Sequence, residues 1–290
     1  MKTKLKLIAG SVAMLASLGA QAAVVDLFED PAGANGVREQ TNADGAVFVE
    51  QGAYSTILGG YRDLVIDTES GGAAGNPGIG ANLIVDGTNN LLQWSNDDGV
   101  RSAASVQWDG NDNSATLDSA RTEDLFNLIF QEGCPASGCD QFNFTILRSD
   151  LGFDFEIGIY SSETEFVTIT SSSQNISEPG IDLELPFSIF DGETGCADFD
   201  SAGTPVFSFT RVCGASDTVA DAADMTSISA IELKLWNTTA NNVGEPNVIS
   251  VDLALSAVTK TGVPEPGVVA LLGMGLVGAG FARRRRMTKA

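Results

Sequence analysis

The stretch Gln141-Phe142-Asn143-Phe144-Thr145-Ile146-Leu147 sets Phe142, Phe144 and Ile146 on one side of an extended chain. After a short link, Phe153-Asp154-Phe155-Glu156-Ile157-Gly158-Ile159 repeats the pattern with Phe153, Phe155, Ile157 and Ile159. Period-two alternation of large apolar residues describes strands with one face on a core and one face toward solvent, as in antiparallel sheets. The link at 148–152 predicts that these two strands pair as a hairpin. The same reading, carried outward, places strands at 24–28, 46–50, 63–67, 82–85, 103–108, 165–170, 183–189, 206–211, 231–235 and 251–255. About a dozen short strands separated by Gly, Asn and Asp turns predict an all-β fold, an antiparallel β-sandwich or jelly roll. The Gly- and Ala-rich run at 71–78 reads as a long loop within one domain. Residues 123–131 suit a short helix or a buried strand equally well.

Composition narrows the chemistry. The chain has no histidine, which removes Ser-His-Asp and Cys-His catalysis, histidine-bearing zinc sites and two-His iron sites together. Between residues 23 and 260 there are eight basic residues against 37 acidic ones, a net charge of −29. Phosphate backbones and anionic lipid surfaces repel such a body, so nucleic acid is not expected as a partner. No two of the acids are marked by spacing as the pair that glycoside hydrolysis requires, so the expectation is a body that is not an enzyme. No cofactor is expected.

Four residues and a few turns remain as candidate sites. Cys134 and Cys139 bracket a turn-rich loop that can close on itself, and Cys196 and Cys213 flank the segment 199–209. Two disulfides, Cys134–Cys139 and Cys196–Cys213, are therefore expected; a thiolate metal site would want the CxxC spacing that is missing here. The Asp/Asn runs at 96–99, 109–113 and 191–193 are read as turns. A structural calcium is the alternative, with Asp109, Asn111 and Asn113 supplying alternate oxygens. An EF-hand frame starting at Asp109 fails, because its glycine position is Ser114 and its glutamate position is Ala120. Trp94, Trp108 and Trp236 are expected in the core. A carbohydrate-binding module would need some of these rings, or Tyr54, Tyr61 and Tyr160, on an exposed platform.

The two ends of the chain read as targeting segments. Lys2, Lys4 and Lys6 precede an apolar stretch at 7–18, and Ala20 and Ala22 are the small residues a signal peptidase reads, so cleavage before Ala23 is expected. Residues 1–22 are then a signal peptide and 23–260 the exported domain. At the other end Val263, Pro264, Glu265 and Pro266 precede an apolar run at 267–282 and the cluster Arg283, Arg284, Arg285 and Arg286. Sixteen residues at about 1.5 Å each give a helix roughly 24 Å long, near the ~30 Å hydrocarbon thickness once the arginines snorkel. The arginines stay on the cytoplasmic side by the positive-inside rule, which puts the body outside.

This C-terminal order resembles the PEP-CTERM sorting signal, which in Gram-negative bacteria is handled by the membrane protease-transpeptidase exosortase. The resemblance implies residues 261–290 as a sorting and anchor segment, with a precursor held in the inner membrane by the 267–282 helix. It further implies cutting near the Pro-Glu-Pro and delivery to the cell surface or extracellular matrix. Signal peptidase and exosortase are the implied processing partners. Such proteins are linked to exopolysaccharide and to biofilm or floc formation, so a structural or adhesive role is the leading expectation. A carbohydrate-binding jelly roll is the alternative, and a glycoside hydrolase or lyase a more distant one. Ala230-Ile231-Glu232-Leu233, Val251-Asp252-Leu253 and Gly59-Gly60-Tyr61-Arg62-Asp63 also resemble short runs found in the bodies of such proteins. They agree with a jelly-roll body and assign no site.

Overall fold

A computed structural model of the chain describes residues 24–30, 33–40, 46–70, 80–97, 100–120, 140–149, 152–172, 180–186, 189–190, 196–197, 199–200, 208–225, 227–236 and 252–262. The chain divides into two units, Val24–Lys260 and Met1–Ala23 with Thr261–Ala290, and the fold described is that of the first. The expectations for the signal peptide, the 123–131 segment, Cys134 and Cys139, and the tail from Val263 to Ala290 lie outside the described residues. No helix among the described residues is long and apolar enough to span a membrane.

The strands in chain order are β1 (Val24–Asp26), β2 (Ala34–Gln40), β3 (Val47–Gly52), β4 (Tyr61–Ser70), β5 (Gly80–Asp86), β6 (Leu91–Asn96), β7 (Arg101–Trp108), β8 (Asp140–Ser149), β9 (Asp154–Tyr160), β10 (Phe166–Ser172), β11 (Ile181–Pro186), β12 (Phe199–Asp200), β13 (Ser208–Cys213), β14 (Ala230–Trp236) and β15 (Asp252–Gly262). They form two antiparallel sheets. The first runs β11-β8-β15-β6-β5-β2, with β1 also paired to β15; the second runs β12-β13-β10-β9-β14-β7-β4-β3.

Alternation explains the packing. From the first sheet Leu83, Val85, Leu92, Trp94, Phe142, Phe144, Leu183 and Leu255 enter one continuous core, and from the second Leu64, Ile66, Val106, Trp108, Phe155, Ile157, Ile169 and Leu233 meet them. Removing these side chains from water supplies the main driving force for the sandwich. Polar pairs also bridge strands in this packing. Trp94 Nε1 on β6 donates to Ser102 Oγ on β7 at 3.1 Å, and the Thr68 amide on β4 donates to Glu39 Oε2 on β2.

One expectation is overturned. β8 and β9 are not a hairpin: β8 lies between β11 and β15 in the first sheet, and β9 between β10 and β14 in the second. The 148–152 link therefore carries the chain from one sheet to the other. Both strands present an apolar face to the same core, and alternation specifies that face without specifying the sheet. Phe142 packs edge-on against Phe190 at 5.7 Å, and Phe155 against Phe209 at 6.2 Å, each ring finding an aromatic partner outside the proposed hairpin. β2, β6 and β12 lie outside the strands predicted from sequence; β2 is mostly polar and contains Gly36, so apolar alternation does not mark it.

Cys196 and Cys213 form a disulfide with a Cα–Cα distance of 5.8 Å across a sequence separation of 17. A closed loop of that length stabilises by about 3 kcal/mol in the chain-entropy account. The Cys196→Ser/Cys213→Ser double variant is expected to unfold about 5–10 °C below the parent in a thermal scan; an unchanged midpoint would show that the bond does not constrain the unfolded chain.

Candidate functional site

The run Gly59-Gly60-Tyr61-Arg62-Asp63 enters β4 and sends two charges in opposite directions. Gly59 and Gly60 have φ of 69° and 85°, left-handed values that glycine adopts without a Cβ penalty. The turn they make is closed by the Tyr54 amide donating to the Gly60 carbonyl at 2.8 Å. Beyond it, adjacent residues on a strand face opposite sides. Arg62 points into the core and Asp63 to the outer face of the second sheet.

Arg62 is fully buried. Its Nη1 donates to Asp26 Oδ1 at 2.6 Å, Nε to Gln51 Oε1 at 2.8 Å and Nη2 to the Glu29 carbonyl at 3.1 Å. Asp26 also accepts from Trp108 Nε1 at 2.9 Å and from the Phe28 amide at 2.7 Å. Burial pushes the Asp26 carboxyl above its ordinary range, and Arg62, Trp108 and Phe28 oppose that rise through contacts that favour the ionised form. The guanidinium joins β1 of the first sheet to β3 and β4 of the second. This is a structural clamp, sealed from solvent.

Asp63 faces an unlike environment. Register sets Glu50 of β3 directly opposite Asp63 and, on the other side, Gln107 of β7. Like charges opposite one another across a ladder are destabilising. One carboxylate oxygen from each of Glu50, Asp63 and Asp112 lies within 4.8 Å of the others. The segment 109–120 is folded to place Asp112 there. The amides of Asp112 and Asn113 donate to Glu50 Oε2 at 3.0 and 2.8 Å, and the Asp118 amide donates to Asp109 Oδ2 at 2.8 Å. Asp63 is 0% exposed, and no amide, hydroxyl or cationic donor reaches either of its carboxylate oxygens; its side-chain hydrogen-bond contact is with another acid, Asp109. Burial, followed by the charges of Asp109, Asp112 and Glu50, pushes its carboxyl up to about 8. Burial also raises Asp109, to about 6, against the Asp118 amide that lowers it.

Further along the same face the acids are compensated. Gln107 Nε2 donates to Glu232 Oε1 at 3.1 Å, and Lys234 Nζ lies 3.0 Å from Glu232 Oε2 and 3.1 Å from Glu156 Oε1. Burial disfavours the Lys234 cation, but Glu232, Tyr160 and Glu156 outweigh it and raise its basicity. Glu232 belongs to the Ala230–Leu233 run noted in the sequence, so that run supplies the centre of this ionic network.

The residues singled out from sequence fall as follows. Asp109 is buried beside Asp63, whereas Asn111 and Asn113 are exposed. The acids that gather with Asp109 are Glu50, Asp63 and Asp112; Asp112 belongs to the same 109–113 run but not to its alternate-oxygen set, and Glu50 and Asp63 come from β3 and β4. Trp94 and Trp108 are each 1% exposed and lie in the core; Trp236 is half-buried.

Residues 262–286 match the family model of the PEP-CTERM protein-sorting motif. No curated protein and no solved structure matches the chain.

Proposed function

We propose that this chain is a structural or adhesive protein of an exopolysaccharide-associated surface matrix, delivered there by its sorting segment and processed by exosortase. The observation that carries the reading is the PEP-CTERM motif at residues 262–286, which supports export, an inner-membrane-anchored precursor and exosortase as the processing partner. The apolar run 267–282 acts as the transmembrane helix. It holds Val263, Pro264, Glu265 and Pro266 just outside the membrane, while Arg283, Arg284, Arg285 and Arg286 hold the other end in the cytoplasm. Moving an arginine to the bilayer centre costs about 3 kcal/mol on the insertion scale, so four in a row make a firm stop. The prolines keep the cleavage segment out of helical hydrogen bonding and open to a protease.

The body contributes a scaffold. Glycosidase chemistry needs paired carboxyls at a surface that a sugar can reach. Asp63 and Asp109 have the raised pKa values of such a pair, but both are 0% exposed, which favours a non-enzymatic reading. Burial of Trp94 and Trp108 likewise removes two of the rings a sugar-stacking platform would use. In cells that express an exosortase, intact-mass measurement of surface-extracted protein is expected to give a chain that begins at Ala23 and ends close to Glu265. A mature chain retaining Arg283 to Ala290 would refute the processing step.

A further inference from the structure

We propose that Glu50, Asp63 and Asp112, with Asp109 beside them, bind one calcium ion that ties β3 and β4 to the segment 109–120. The inference stands apart from the sorting reading and rests on the geometry of the body alone. Calcium takes six to eight oxygens at about 2.3–2.6 Å. Two ligands of the same ion are then at most roughly 5 Å apart, and the three carboxylate oxygens satisfy this, all lying within 4.8 Å of one another. They come from two strands and a loop, so the arrangement needs the folded state.

The second observation is Asp63 itself. It is a fully buried carboxyl, aimed into the cluster, with no amide, hydroxyl or cationic donor at either oxygen and only the Asp109 carboxyl as its side-chain hydrogen-bond contact. Buried carboxylates are normally paired, hydrogen-bonded or metal-bound. The one guanidinium on β4 is turned to the opposite side of the sheet, where Asp26 takes it. Lys234, on β14 of the same face, is held by Glu232 and Glu156. A divalent cation supplies the charge that this side of the cluster lacks. It also removes the repulsion between Glu50 and Asp63 that the β3–β4 register imposes. Oxygen-only donors select a hard cation over zinc or copper. The wide, mainly carboxylate set, drawn from separate elements, suits calcium rather than the tight octahedron of magnesium.

The test uses the full chain, purified in detergent with its disulfide oxidised and stripped of metal with a chelator. Calcium chloride at 10 mM is expected to raise the unfolding midpoint by about 5–10 °C, as for a site with a Kd near 0.1 mM. Titration calorimetry is expected to give one calcium per chain. Asp63→Asn and Asp112→Asn should each lose most of the shift, and Glu184→Gln, at an exposed acid on β11, should keep it. Asp112 is half-buried, so that variant decides the matter if Asp63→Asn does not fold. An equal shift in all variants would mean diffuse screening of the acidic surface and would overturn the site. No shift in the parent, or the same shift from magnesium chloride at equal ionic strength, would overturn it as well.

Discussion

Replacing Arg62 by methionine is expected to destabilise the body by about 3–5 kcal/mol, the range for removing one partner of a buried ion pair. For a domain of this size the unfolding midpoint should fall by about 6–20 °C. The effect is large because methionine fills much of the volume but strands three acceptors at once. Asp26 loses its charge partner, and the Gln51 side chain and the Glu29 carbonyl lose their donors. Lysine should not rescue it, since an ammonium cannot reproduce the planar fork that reaches all three. The double variant Arg62→Met/Asp26→Asn should recover part of the loss, because the uncompensated buried charge is gone. Thermal unfolding followed by circular dichroism measures each step. A single variant within 1 °C of the parent would show that the Asp26–Arg62 pair holds nothing together.

That pair also illustrates what the sequence could and could not tell. Alternation in Phe142–Ile146 and Phe153–Ile159 identified two strands and their buried faces, because burial of one face is a local pattern. It did not identify their sheets, because pairing is decided by partners far away: β8 meets β11, and β9 meets β14. The tail was legible for the opposite reason. Its motif, apolar run and arginine cluster are contiguous, so the match at residues 262–286 is carried by local sequence and needs no distant partner. The acidic cluster falls between these cases. Asp109 stood out as part of a turn-rich run, but Asp63 and Glu50 become neighbours only through the β3–β4 register. Within Gly59–Asp63 the glycines announce a turn, and the adjacent Arg and Asp then separate to opposite faces by strand geometry alone. The partners each one finds there, Asp26 for one and three acids for the other, depend on the completed sandwich.

Asp63→Asn is expected to stabilise the metal-free protein, and to do so more strongly as pH rises. The sign follows from linkage. The folded-state pKa of Asp63 is raised from 3.8 to about 8, so between those values the folded protein keeps a proton that the unfolded chain has released. Stability contributed by this group is therefore greatest below pH ~4, falls steadily as pH rises toward ~8, and is level above that. Asp109, raised to about 6, works in the same direction over the lower part of the window. Glu50 on β3 and Asp112 in the loop add negative charge facing Asp63, and Gln107 on the β7 side adds none. Asparagine is nearly isosteric and carries no charge to desolvate, so it escapes the penalty. With a chelator present, the variant's advantage over the parent should be small at pH 5 and reach on the order of 2–4 kcal/mol at pH 8, or about 5–15 °C in midpoint. Taking the difference between the two proteins cancels the self-repulsion of the remaining acids, which also grows with pH. A constant offset across pH 5–8 would mean that Asp63 is ionised throughout and is already compensated within the fold. A widening gap that closes when calcium is added would instead identify Asp63 as the group whose charge the ion neutralises.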